Sequence, residues 1–207
     1  MVKDGYWYGL PLLVAAALLF ALHLFVLAVL FLLISIFALN FFRDPERRVP
    51  ADPRAIVSPA DGKVVQIIEE ELEGKTVKRL SIFMSPLNVH VNRSPIPGVI
   101  KKVIYRPGSF HIASKSAASV ENEQNAFTVE GELGRVVVKQ IAGAVARRIV
   151  FWKRLGDRLA RGERVGMIKF GSRVDLIIET GAEWNVKVGD RVQAGSSILG
   201  FATPQSE

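Results

Sequence analysis

A serine that follows a glycine carries a latent reaction, and the run Gly166-Met167-Ile168-Lys169-Phe170-Gly171-Ser172-Arg173-Val174-Asp175 contains one. The Ser172 hydroxyl can attack the preceding carbonyl, turning an amide into an ester. β-Elimination then leaves a dehydroalanine, which hydrolyses to a pyruvoyl group. The chain would be cut between 171 and 172, and the second piece would begin with a ketone. Taken alone, Gly-Ser is also among the commonest turn dipeptides, and a plain loop reads the same way.

Such a step needs a base, since an unperturbed hydroxyl is a weak nucleophile. Cysteine is absent, which excludes disulfides, thiolate metal sites and cysteine nucleophiles and leaves hydroxyls and lysines. Three histidines stand at positions 23, 90 and 111, without HExxH or other metal-ligand spacing. No metal is expected. Lysine-bound pyridoxal phosphate is not expected either, because the chain is short for the folds that hold it and no lysine has a phosphate-cradling Gly-rich partner.

Four further segments accompany the Gly-Ser junction in a fixed order. They are Phe41-Phe42-Arg43-Asp44-Pro45-Glu46-Arg47, Ser58-Pro59-Ala60-Asp61-Gly62-Lys63-Val64, Asn88-Val89-His90-Val91-Asn92-Arg93-Ser94-Pro95, and Gln140-Ile141-Ala142-Gly143 leading to Ala146-Arg147-Arg148-Ile149. With these five motifs the chain, from about Phe41 onward, resembles the phosphatidylserine decarboxylase family, in particular its short, membrane-associated branch. The long branch carries two histidines at HxxH spacing; here only His90 is present and Arg93 takes the second position. Arg173 follows the serine, where Thr or Ser is frequent.

The resemblance implies a self-processing lyase that converts phosphatidylserine to phosphatidylethanolamine and carbon dioxide at the membrane. Ser172 would become a covalently bound pyruvoyl cofactor whose ketone forms a Schiff base with the substrate amine. Gly171 would be the cleavage site, giving a large fragment of residues 1–171 and a small one of 172–207 that stay associated. The resemblance makes His90 the base and Asp61 the residue that orients it, in the manner of other nucleophile-base-orienter triads. His111 lies in a segment that in the family approaches the substrate, and is the second-choice base or proton donor. Arg93, Arg147 and Arg148 are candidate ligands for the substrate's phosphate or carboxylate. The Glu121-Asn122-Glu123-Gln124-Asn125 cluster is also family-like, but as bare chemistry it reads as a polar loop and stays outside the site. An archaetidylserine-type lipid would fit the same chemistry.

These residues need positioning by two kinds of element. Residues 5–42 contain no Asp, Glu, Lys or Arg, and His23, Ser35 and Asn40 are the only strongly polar side chains among them. A single spanning helix needs ~20 apolar residues, so this stretch suits two short helices in a hairpin or one long tilted helix. The hairpin is preferred, although no Gly or Pro marks a turn near His23. Lys3 at one end and Arg43, Arg47 and Arg48 at the other place both ends on the cytoplasmic face of the cell membrane by the positive-inside tendency. The formal net charge of +7 suits an anionic membrane surface or nucleic acid, and the apolar anchor decides for the membrane. A cleaved signal peptide is disfavoured by the length of the stretch.

Past Pro50, short β-branched runs are punctuated by Gly and Pro, and segments 62–68, 76–83, 99–105, 126–129, 135–140, 164–168 and 173–178 read as strands. The fold class is mostly β, α+β overall, with residues 1–48 as membrane-anchoring segment and 49–207 as one catalytic domain. Segments 60–65 and 186–195 resemble the hairpins of lipoyl- and biotinyl-type domains, which implies a flattened β-sandwich. They also carry a rival reading, a membrane-tethered adaptor or binding module without catalysis, but neither Met-Lys-Met nor Asp-Lys-Ala occurs at a hairpin tip. Strands on the two sides of the cut are expected in one sheet.

Overall fold

The computed structural model describes the chain except residues 73, 109–121, 144–147, 170–171, 179–181 and 203–207. It divides into two compact units, Met1–Glu46 and Arg47–Glu207.

The first unit is a helical hairpin, α1 (Lys3–Ala21) and α2 (Phe25–Phe41). Small residues form its seam: Gly5, Gly9 and Ala16 of α1 and Ala28 and Ser35 of α2 are buried. A Cβ on Gly9 would come within 2.4 Å of Leu39 Cδ2, so glycine sets how closely the helices approach. Across the seam Ser35 Oγ donates to the Gly9 carbonyl at 2.8 Å, which satisfies a hydroxyl that lipid could not. The outer surface is apolar, with Trp7 79% and Val26 85% exposed. That is the reverse of a water-soluble helix pair. By length and composition α1 is able to cross a membrane; α2, with 17 residues, is shorter. The turn falls at His23, which takes φ 59° in the left-handed position that usually caps a helix with Gly. The His23 N–H donates to Phe20 O and the Leu24 N–H to Leu19 O, closing the end of α1 without either turn residue.

The second unit is built from antiparallel strands, as the alternating apolar runs predict. Seven of them coincide with the expected segments: β2 (Gly62–Leu72), β3 (Lys75–Met84), β5 (Gly98–Arg106), β6 (Gln124–Gly131), β7 (Gly134–Ala142), β10 (Arg164–Lys169) and β11 (Ser172–Ile178). Seven shorter strands complete them: β1 (Ala55–Val57), β4 (Val91–Arg93), β8 (Arg148–Phe151), β9 (Arg158–Leu159), β12 (Ala182–Trp184), β13 (Arg191–Val192) and β14 (Ile198–Ala202). One sheet has eight strands in the order β13-β2-β3-β11-β7-β6-β5-β9, and two smaller ones have the orders β4-β10-β8 and β1-β14-β12.

The lipoyl-like segments meet each other, since Arg191 and Val192 of β13 pair with Lys63 and Gly62 of β2. A Cβ on Gly62 would lie 2.2 Å from the Phe83 carbonyl oxygen, so only glycine allows β2 this close to β3. The core lies on one face of the large sheet, where Leu80, Ile82, Phe127, Val136, Val138, Val174 and Leu176 are wholly buried with Ile56, Val165, Ile168 and Leu199 from the smaller sheets. Each such aliphatic side chain contributes roughly 1.5–3 kcal/mol by leaving water.

The strands on the two sides of position 171 differ from expectation. β10 belongs to the sheet β4-β10-β8, and β11 lies in the middle of the eight-stranded sheet. Lys169 therefore ends a strand of one sheet and Ser172 begins a strand of another. Both strands are largely buried and differ in the partners they find, β4 and β8 for β10 and β3 and β7 for β11.

Candidate active site

Ser172 is the first residue of β11 and fully buried. It pairs with Met84 of β3 on one side and Ala142 of β7 on the other. By strand alternation it shares a face with Val174 and Leu176, toward the core. Its hydroxyl donates to Met84 Sδ at 3.3 Å, a weak acceptor.

Around Ser172 the apolar core gives way to amides. Asn125 Nδ2 donates to Gln140 Oε1 at 2.8 Å, Gln140 Nε2 to Asn92 Oδ1 at 2.8 Å, and Asn92 Nδ2 approaches Met84 Sδ at 3.8 Å. The chain runs from the large sheet across to β4 and back to the sulfur that holds Ser172. Each amide is fixed in orientation by the next, because a carbonyl oxygen only accepts and an NH2 only donates. Asn122 Nδ2 donates to the Ala142 carbonyl at 2.6 Å, and the Ala142 N–H to the Glu123 carbonyl at 3.0 Å. The Glu123 carboxylate accepts from Tyr105 OH at 3.0 Å and from the Ile149 N–H of β8 at 3.4 Å. Desolvation, then the hydrogen bond to Glu123 and its charge, push the Tyr105 phenol above its ordinary value.

His90 is fully buried just before β4. Its backbone carbonyl accepts the Ile168 N–H of β10 at 3.3 Å, four residues before Ser172. Nδ1 lies 2.9 Å from the Asn88 carbonyl; since that oxygen can only accept, Nδ1 carries the hydrogen and Nε2 is the basic nitrogen. Asn88 is itself pinned by a turn in which Asn88 N–H donates to Ser85 O and Asn88 Oδ1 accepts from Ser85 N–H.

Asp61 is engaged elsewhere. Its carboxylate takes both contacts from Arg47 Nη2, at 2.8 and 3.0 Å, and the Ala194 N–H at 2.8 Å; its described bonds do not include His90. Arg47, one of the cations flanking the apolar stretch, is thereby spent on an interior ion pair with only 8% of its side chain exposed. Arg93 is buried and donates Nη1 to the Gly162 carbonyl at 3.0 Å. Arg148 is exposed at the start of β8, in register with Lys169 of β10. Gly171, His111 and Arg147 lie outside the described residues.

Two groups that the sequence reading named but left outside the site lie beside Ser172. The amides Asn125 and Gln140 sit at inward strand positions in line with Phe127 and with Val136 and Val138; a polar residue breaking an inward apolar alternation is the signal that marks them. On the opposite face of β11, Arg173 donates Nε to Asp175 Oδ1 at 2.6 Å and Nη2 to Ser81 Oγ at 2.9 Å. Arg79 links the same Asp175 to Glu70. The residue that departs from the family pattern beside Ser172 is thus locked in a buried ion network. Among the described residues no three His, Asp or Glu side chains cluster as metal ligands.

The family model for phosphatidylserine decarboxylase matches residues 34–200. The chain is 51% identical to a phosphatidylserine decarboxylase proenzyme of Solibacter usitatus over 96% of its own length and 95% of that protein's. It is 47% identical to the proenzyme of Desulfotalea psychrophila over 84% of each chain. With the proenzyme of Burkholderia cenocepacia the identity is 41%, over 96% of this chain and 94% of the other.

Proposed function

The chain belongs to the phosphatidylserine decarboxylase family, and from that membership we propose how its own residues serve the conversion of phosphatidylserine to phosphatidylethanolamine and carbon dioxide. It is an enzyme made as a proenzyme. The observation that carries the residue assignment is Ser172, buried at the head of a central strand where the chain crosses between sheets.

Maturation cuts between Gly171 and Ser172. Simple hydrolysis there would leave an α-ammonium at a fully buried position, at a cost of several kcal/mol. A pyruvoyl group carries no such charge, so the burial of Ser172 fits the uncharged ketoacyl end and disfavours the amine. When present, the pyruvoyl group supplies the electron sink for the pair left on the substrate's α-carbon as carbon dioxide departs. His90 Nε2 takes the Ser172 proton during maturation, with the Asn88 carbonyl fixing the tautomer. Asp61, held by Arg47, ties the segment before β2 to the Ala194 loop of the small fragment. Arg148, exposed and outside any ion pair among the described residues, meets the lipid phosphate.

The fragments 1–171 and 172–207 stay together on this reading. β11 is laddered to β3 and β7, β13 to β2 and β14 to β1, so small-fragment strands are paired with large-fragment strands in two sheets. The hairpin within residues 1–48 anchors the enzyme to the membrane that holds its substrate, with 49–207 on the cytoplasmic face.

Intact mass and denaturing electrophoresis of the purified enzyme test the assignment. Two chains are expected, the smaller beginning at position 172 without a free amino group, and Ser172→Ala should give one folded, inactive chain. Full activity in an uncut chain with an unmodified serine overturns it.

A further inference from the structure

Glu123 is a buried carboxylate that the chemistry above leaves without a task. It is 6% exposed. Its described hydrogen bonds, from Tyr105 OH and the Ile149 N–H, all end on Oε1, which leaves Oε2 for another donor. Both donors are neutral, and no cationic side chain among the described residues pairs with it. Arg148, next to Ile149 in sequence, is exposed instead. A carboxylate withdrawn from water without a counter-cation is costly, and that cost is relieved whenever a cation arrives.

The location says which cation. Gln124 pairs with Ile141, and the next position brings Glu123 beside Ala142, which pairs with Ser172. Residues paired across antiparallel strands point to the same face, so Glu123 and Ser172 both look into the gap between sheets, and the contact with β8 confirms it for Glu123. Two strand spacings, about 10 Å, separate their backbones. A glutamate side chain and an amino-acid headgroup together span that gap.

We infer that Glu123 receives the ammonium of the phosphatidylserine headgroup, and so selects lipids with a free primary amine for the site at Ser172. The inference rests on the function proposed above. It gives Glu123 a role in specificity and none in chain cleavage.

Two measurements on the full chain test it. The uncleaved Ser172→Ala protein in detergent is titrated calorimetrically with short-chain phosphatidylethanolamine and short-chain phosphatidylcholine, whose trimethylated nitrogen has no N–H to donate. The first should bind at least five-fold more tightly, and adding Glu123→Gln should abolish the preference. In the mature enzyme Glu123→Gln should raise KM for phosphatidylserine at least five-fold, leave kcat within about two-fold, and leave self-cleavage at the unaltered rate. A retained preference, or slowed self-cleavage with an unchanged KM, overturns the inference. Should Glu123→Gln fail to fold, Tyr105→Phe at an exposed position takes its place; removing a neutral donor from the carboxylate should tighten phosphatidylethanolamine binding at least two-fold and leave phosphatidylcholine unchanged. An unchanged preference there also overturns it. If the unaltered chain neither cleaves nor decarboxylates, the family-based function fails; if it does both and Glu123→Gln keeps the preference, only the role of Glu123 fails.

Discussion

His90 is held by a bond that fixes which of its nitrogens can take a proton. With Nδ1–H committed to the Asn88 carbonyl, Nε2 is the nitrogen left to serve the proposed base role, and a backbone oxygen would do the orienting that a carboxylate does elsewhere. His90→Ala should slow appearance of the small fragment at least ten-fold in a pulse-chase of newly made chain; normal cleavage with lost decarboxylation would move His90 to the substrate step alone. The family was legible in the sequence because motif order carries it, and the same motifs supply the proposed pair Gly171-Ser172 and the proposed base. The partners of Asp61 were not, since Arg47 and the Ala194 loop reach it from segments 14 and 133 positions away. Nor was Glu123: its burial depends on β8, whose approach no local pattern announces.

At the scale of elements, periodicity reported what is long and half-buried. The seven expected strands are those with enough alternating residues to show a period of two. Two- to four-residue strands such as β4, β8 and β13 are too short to show one, and they exist because a longer neighbour offers a ladder. The helix pair was legible from hydropathy, whereas its turn was hidden because His23 stands in a left-handed position that glycine usually takes. The seam depends on Gly9. Gly9→Leu should push α2 away and break the Ser35 bond. The chain has no cysteine, so a pair introduced at Ala16 and Ala28 reports the seam directly. Disulfide yield should fall by at least half when Gly9→Leu is added, and an undiminished yield would show that glycine does not set the spacing.

For the whole molecule, what matters is where residues 172–207, the proposed small fragment, lie. All seven residues of β11 are buried, and both its edges are occupied by β3 and β7, which precede the proposed cut. The two fragments should therefore comigrate in gel filtration in mild detergent after complete cleavage and separate only in denaturant. Leu176→Ala, which removes a wholly buried side chain from that strand, should cost about 2–5 kcal/mol and lower the denaturant concentration at which they part. Elution of free small fragment without denaturant would contradict this. The crossing between sheets could not be read from the sequence, because β10 and β11 look alike as apolar runs and only the partners they find differ. One consequence reaches beyond mechanism. In the uncut chain β11 is already laddered on both sides, so on the proposed scission assembly would precede the cut. Activity would then be granted only to molecules that have already passed an inspection of their own architecture, and a misassembled copy would stay inert.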